Sequence, residues 1–164
     1  MVRANKKWLW LPVVVLLVFG TAFFMTYDFP QKIDLTLPAV QYQLNDPSSA
    51  QITTVEVKGK ISRPLFRRKE FAGQIRIDGY DFTETYIMFD IVFSQNRGFL
   101  IYYGTVDHQT VIRTLGTIWI NGDFTQLIIF PFENGQSSDW RISAPARTYE
   151  EATKIEELSV KIEE

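Results

Sequence analysis

From Ile52 onward the chain alternates. Val55, Val57, Gly59 and Ile61 share one side of an extended segment, and Glu56, Lys58 and Lys60 share the other. Phe71, Gly73, Ile75 and Ile77 repeat the pattern opposite Gln74, Arg76 and Asp78, and Ile87, Phe89, Ile91 and Phe93 form a third apolar row. Successive side chains of a strand point to opposite faces, so a period of two marks strands with one buried face and argues against a helical bundle. Further strands are expected over 99–106, 111–120, 124–132 and 140–144.

The links between these strands are short. Ser94 to Gly98, Asp107 to Gln109 and Glu133 to Ser138 read as hairpin connections, and Asn121-Gly122 is the sharpest signal, because Asn-Gly supplies the two positive φ values of a type I′ turn. Short links between successive strands imply antiparallel neighbours. The expected fold class is mainly β: an antiparallel meander of about seven strands over 51–145, a sandwich or small barrel, followed by a C-terminal helix. In that acidic segment, 146–164, Thr148 and Glu151 fit a capping box, and Ala152, Ile155, Leu158 and Ile162 fall on one helical stripe.

Two segments precede the alternating region. Residues 28–50, punctuated by Pro30, Pro38 and Pro47, read as a stalk or linker. Residues 8–27 carry no charge, and about 20 helical residues span the roughly 30 Å hydrocarbon core of a bilayer. Trp8, Trp10 and Tyr27 stand where interfacial aromatics occur, and Arg3, Lys6 and Lys7 precede the run. The expectation is a single-pass signal anchor over 8–27, with a cytoplasmic basic tail at 1–7 and an extracytoplasmic domain beyond it. Gly20-Thr21-Ala22 offers the rival reading of a cleaved signal peptide, but Phe23, Phe24 and Met25 extend the apolar run past that point.

The chain contains no cysteine, which excludes disulfides, Cys-ligated zinc, iron–sulfur clusters and a thiol nucleophile. Its net charge is −2, and because residues 1–27 hold Arg3, Lys6, Lys7 and no acid, the remainder is more acidic than that figure. Such a balance gives no electrostatic basis for gripping nucleic acid.

His108, the only histidine, sits in an expected turn with no nucleophile elbow to serve, and one histidine does not make a zinc site. Asp78-Gly79-Tyr80-Asp81 lacks the ligand ladder of a calcium loop and reads as a turn. Asp90 stands mid-strand: ordinary if its face is wet, a site candidate if both faces are covered. Tyr80, Phe82, Tyr86, Tyr102, Tyr103, Trp119 and Trp140 are read as core rather than as the lining of a ligand cavity. The densest basic run contains Arg63, Arg67, Arg68 and Lys69, with Leu65 and Phe66 inside it. It is the candidate contact for an anionic surface, lipid headgroups or a wall polymer, against the plain reading of a solvated hairpin loop.

The stretches Phe71 to Phe82, Gly116 to Phe124 and Ile142 to Ala152 resemble segments of small membrane-anchored proteins of spore-forming Gram-positive bacteria. The resemblance covers most of the β region. It implies location and fold and carries no site residue across. The functional expectation is a membrane-anchored, non-catalytic binding module without cofactor or metal. The alternatives are a structural component of an envelope assembly and a carboxylate-dependent enzyme. A flat apolar patch would favour assembly, a dry cavity a ligand carrier, and a pocket around Asp90 an enzyme.

Overall fold

The computed structural model describes residues 6–27, 30–64 and 67–163, with the side chains of 6–9, 11, 24–26, 162 and 163 also left undescribed. Helix α1 (Lys6–Thr26) is followed by strands β1 (Gln31–Gln43), β2 (Asp46–Ser62) and β3 (Glu70–Ile77). A single-turn helix α2 (Phe82–Thr85) leads to two short strands, β4 (Ile87–Met88) and β5 (Ile91–Val92). Then come β6 (Arg97–Val106), β7 (Gln109–Asn121), β8 (Gln126–Glu133), β9 (Gln136–Ser137), β10 (Trp140–Ala144) and helix α3 (Tyr149–Glu163).

The single-pass anchor is corrected by this structure. Among the described residues no helix is long and apolar enough to cross a membrane. The transmembrane helix expected at 8–27, and the inside-to-outside placement built on it, are therefore not supported. Arg3, in the expected basic tail, lies outside the described residues. The stalk expected over 28–50 is also replaced. Gln31–Gln43 is a full strand that pairs with β2 from Gln31↔Ile61 to Gln43↔Asp46. Ile33, Ala39, Val40 and Tyr42 are buried there, so the prolines hid a sheet strand behind linker punctuation.

All strand pairings are antiparallel, in the order β4-β6-β7-β8-β10-β1-β2-β3-β5, with β9 extending the β8 hairpin. The two ends of this sheet, β4 and β5, are separated in the chain by only Phe89 and Asp90. Phe89 N donates to Ile101 O on β6 (2.9 Å), and Phe93 N donates to Lys69 O just before β3 (2.8 Å). One short segment thus joins both edges, and the sheet rolls into a nearly closed barrel.

Where β3 and β4 do not pair, the Gln74 side chain bridges them. Its Nε2 donates to Thr83 O (2.7 Å) and Tyr86 O (2.8 Å), and its Oε1 accepts from Met88 N (3.1 Å). Fully buried Thr83 secures the same corner, its hydroxyl accepting from Ile77 N (3.0 Å) and donating to Tyr80 O (2.8 Å). The curl itself is permitted at Gly59 and Gly73, which are cross-strand partners. A Cβ on either would stand 2.4 Å from Ala72 O or 2.3 Å from Lys58 O, while the Phe71 ring lies over both.

The barrel interior is filled. Phe71, Phe93 and Phe124 meet edge to face, with centroid separations of 4.8 Å and 6.1 Å from Phe124, alongside buried Ile75, Leu100, Tyr102, Ile118 and Ile129. Phe124 explains why Asn121-Gly122 is not the type I′ turn expected. The connection is a four-residue loop with positive φ at Gly122 (62°) and Phe124 (61°), which drives the Phe124 ring into the core. Paired positive φ values occur instead at Gln95-Asn96, Asp107-His108 and Asn134-Gly135.

α3 covers the outer face of β10, β1 and β8, burying Tyr42, Trp119 and Ile128 beneath Ala152 and Ile155. Glu151 N donates to Thr148 Oγ1 (3.3 Å), and the Glu151 carboxylate accepts from Arg147 N (2.7 Å), so the cap reaches one residue further back than a standard box. Midway along, Glu156 accepts from Tyr42 Oη (2.7 Å) and Arg141 Nε (3.2 Å), which fixes the helix on the sheet.

Replacing Gln74 with Met keeps the volume but leaves two carbonyls and an N–H without their partner. Urea unfolding is expected to show a loss of about 2–3 kcal/mol. An unchanged midpoint would mean that the corner closes without this amide.

Candidate functional site

α3 masks one side of the barrel, and the opposite outer face has no cover among the described residues. Along β6, Phe99, Ile101 and Tyr103 point outward, alternating with the inward Gly98, Leu100 and Tyr102. The register sets Ile87 of β4 opposite Tyr103 on one flank, and Ile112 of β7 opposite Tyr103 on the other. The Phe89 ring lies against Tyr103, with centroids 4.7 Å apart and planes tilted by 44°. Phe99 is 58 % exposed, Ile87 58 % and Ile112 61 %. Large apolar side chains lying contiguous on an exposed sheet mark a contact surface more often than scattered singles do. Its boundary with the masked side is set by Phe130, whose ring carries Arg97 at 5.6 Å and Arg141 at 4.9 Å.

The alternation predicted Ile87, Phe89, Ile91 and Phe93 as one buried row. The structure splits it. The chain crosses from the β6 edge to the β3 edge between β4 and β5, so Ile91 and Phe93 are buried while Ile87 and Phe89 lie outside. Asp90, at the crossing, is exposed. His108 is exposed in the β6–β7 turn, and Asp78 and Asp81 lie at turns. Of the aromatics weighed as cavity lining, Tyr102 and Trp119 are fully buried, while Tyr80, Phe82 and Tyr86 pack on the edge of the core. The face itself was not predicted as a site. Its signal was present in apolar residues of both parities over Phe99 to Tyr103, which a strand with one wet face does not need.

The basic loop is partly spent inside the molecule. Arg63 forms an ion pair with Asp123, and Lys69 Nζ donates to Gly122 O (3.3 Å), so both are drawn to the β7–β8 loop. Burial, with Arg63 nearby, pushes the Lys69 ammonium below the usual lysine range. Arg67 and Arg68 are exposed, and Leu65 and Phe66 lie outside the described residues. Arg63 and Asp123 also border an open groove of about 630 Å³ shared with Lys32, Asp34 and Leu35. Cations and carboxylates alternate around it, so it presents no field of one sign. A second open groove, about 470 Å³, lies at a barrel end between Gln41, Gln51, Thr53, Asp78 and Tyr80. Among the described residues no group of three or more His, Asp or Glu is placed to hold a metal.

No protein-family model, curated protein or solved structure compared with the chain matches it.

Burial raises the Tyr102 hydroxyl above the ordinary tyrosine range, while the hydroxyl donates to Ile75 O (2.7 Å). Tyr42 is raised in the same direction, first by burial and then by its contact with Glu156. Both groups keep their proton more tightly folded than unfolded. Their contribution is therefore complete below about pH 10, the unfolded tyrosine value, and drains away as pH rises toward the folded values. Thermal unfolding from pH 8 to 12 should show a steep alkaline fall that is shallower in Tyr102→Phe. An identical slope in that variant would place the titrating group elsewhere.

Proposed function

We propose that this chain is a non-catalytic binding module that docks a protein partner on the outer face of β4, β6 and β7. The observation that carries the reading is asymmetry of cover. Both sides of the barrel wall carry large apolar residues outside, yet α3 buries Trp119 and Ile128 on one side while Phe99, Ile87 and Ile112 stay exposed on the other. The filled interior favours surface docking over carriage of an apolar ligand. The exposed position of Asp90 removes the argument for a buried catalytic carboxylate there. Phe89 and Tyr103, in ring contact with β-branched neighbours around them, have the composition of an interface anchor.

The test is site-specific photo-cross-linking in the native host with the full chain. A benzophenone side chain at Phe99 is expected to give discrete adducts with another protein. The same group at Lys58, exposed on β2, should not. Adding Ile87→Glu to the Phe99 probe should reduce the adduct by about tenfold, in line with loss of a central anchor. Adducts of equal yield and pattern from both positions, or none from Phe99, would overturn the docking face.

A further inference from the structure

β7 has an edge with no strand beside it. The strand pairs with β6 along Gln109 to Trp119, but with β8 only over Gly116 to Asn121. Residues 109–115 therefore have a neighbour on one side alone among the described residues. The turn at Asp107-His108, with φ of 49° and 63°, is a two-residue connection, and this fixes the alternation of hydrogen bonds beyond it. Val106 and Gln109 exchange bonds, and so do Gly104 with Val111 and Tyr102 with Arg113. Thr110, Ile112 and Thr114 turn their N–H and C=O groups away from β6. The register supports this phase: Ile101, the partner of Thr114, gives its carbonyl to Phe89 N on the opposite side.

Exposed edges are usually guarded against pairing with another chain. Guards of this kind stand on other one-sided stretches among the described residues: Gln31 to Ala39 of β1, which β10 reaches only from Val40, contains Lys32, Asp34 and Pro38. The start of β2, which β3 reaches only from Val55, carries Asp46 and Pro47, and Ser48 N and Oγ are turned back onto Asp46. Gln109 to Leu115 has no proline, acid or lysine and is rich in β-branched residues. Its one cation, Arg113, is held 5.6 Å from the Phe82 ring and 5.7 Å from the Tyr86 ring.

We propose that the chain self-associates as a two-fold dimer through this edge, β7 pairing antiparallel with β7 of a second copy, centred on Ile112. The geometry selects both partner and register. The unpaired window, 109–115, is itself centred on residue 112, and β8 blocks any longer pairing at Gly116. With Ile112 opposite its own copy, Thr110 meets Thr114, and every outward N–H and C=O of the three residues finds a partner, on the order of six hydrogen bonds. Arg113 then faces Val111, so no like charges oppose each other. A strand and its symmetry mate satisfy one another without further adjustment, which a two-fold interface requires. The dimer sets two copies of the exposed outer face side by side on one continuous sheet. The contact is short, so association is weak and depends on concentration.

The experiment uses the full chain in mild non-ionic detergent, which covers α1. Because the natural sequence has no cysteine, Ile112→Cys provides a single thiol. Directly opposed Cα atoms in a hydrogen-bonded antiparallel pair lie about 5.5 Å apart, within disulfide reach. Mild oxidation should yield a covalent dimer from Ile112→Cys and not from Ile52→Cys, which is exposed on the guarded edge. In sedimentation equilibrium, Ile112→Pro should weaken the native dimer at least about tenfold, since its lost N–H points away from β6. Ile112→Lys keeps the backbone donor and should dissociate the dimer at low salt, with partial recovery at high salt. Circular dichroism confirms that each variant remains folded. A monomer at all concentrations, equal cross-linking at 52 and 112, or a dimer unaffected in folded Ile112→Pro and Ile112→Lys would each overturn the proposal.

Discussion

The fold depends on how an antiparallel sheet disposes of its two edges. Here one segment of seven residues, Ile87 to Phe93, serves both, giving its first half to β6 and its second half to β3. Such a segment cannot be fully paired on either side, and the groups left over would be costly to bury alone. The Gln74 amide meets that cost by standing in for missing backbone, with two donors and one acceptor aimed at three different residues. Thr83 does the same one turn away. The interior can then be packed with rings rather than water because the corner does not leak.

Much of this was legible in the residues. The alternation located the strands from Val55 onward, and Thr148 with Glu151 located the start of α3, because both are local rules of spacing. What local rules could not supply was which side of the wall each segment would face. Ile87 and Phe89 look the same as Ile91 and Phe93 in sequence, and only the crossing between edges separates them. Asn121-Gly122 failed for a similar reason. The burial of Phe124 outweighed the turn preference of the dipeptide, and a longer loop resulted. Pro38 and Pro47 suggested a stalk, yet β1 and β2 tolerate them within a sheet. The apolar run at 8–27 shows the limit of composition alone, since among the described residues no helix is long and apolar enough to cross a membrane.

The site was legible only in outline. The basic loop attracted attention because charge is conspicuous, but Arg63 and Lys69 are engaged by the β7–β8 loop. The outer face was hidden because its residues are the ones expected in any strand. Exposure, not identity, distinguishes Phe99 from Phe93, and exposure is a property of the assembled wall.

The strand order has a consequence in time as well as in space. β1 lies between β2 and β10, so the wall is completed only when Val40 meets Ser143 and Gln43 meets Trp140, pairs about a hundred residues apart. Contacts so distant along the chain are slow to form, because a long loop must be closed before they return any stability. During synthesis the hairpins β1–β2–β3 and β6–β7–β8 can each form as they emerge. They remain two open half-walls, with apolar faces in water, until the last strand has left the ribosome. The protein thus spends its earliest moments as a partly built container, dependent on Trp140–Ala144 for closure.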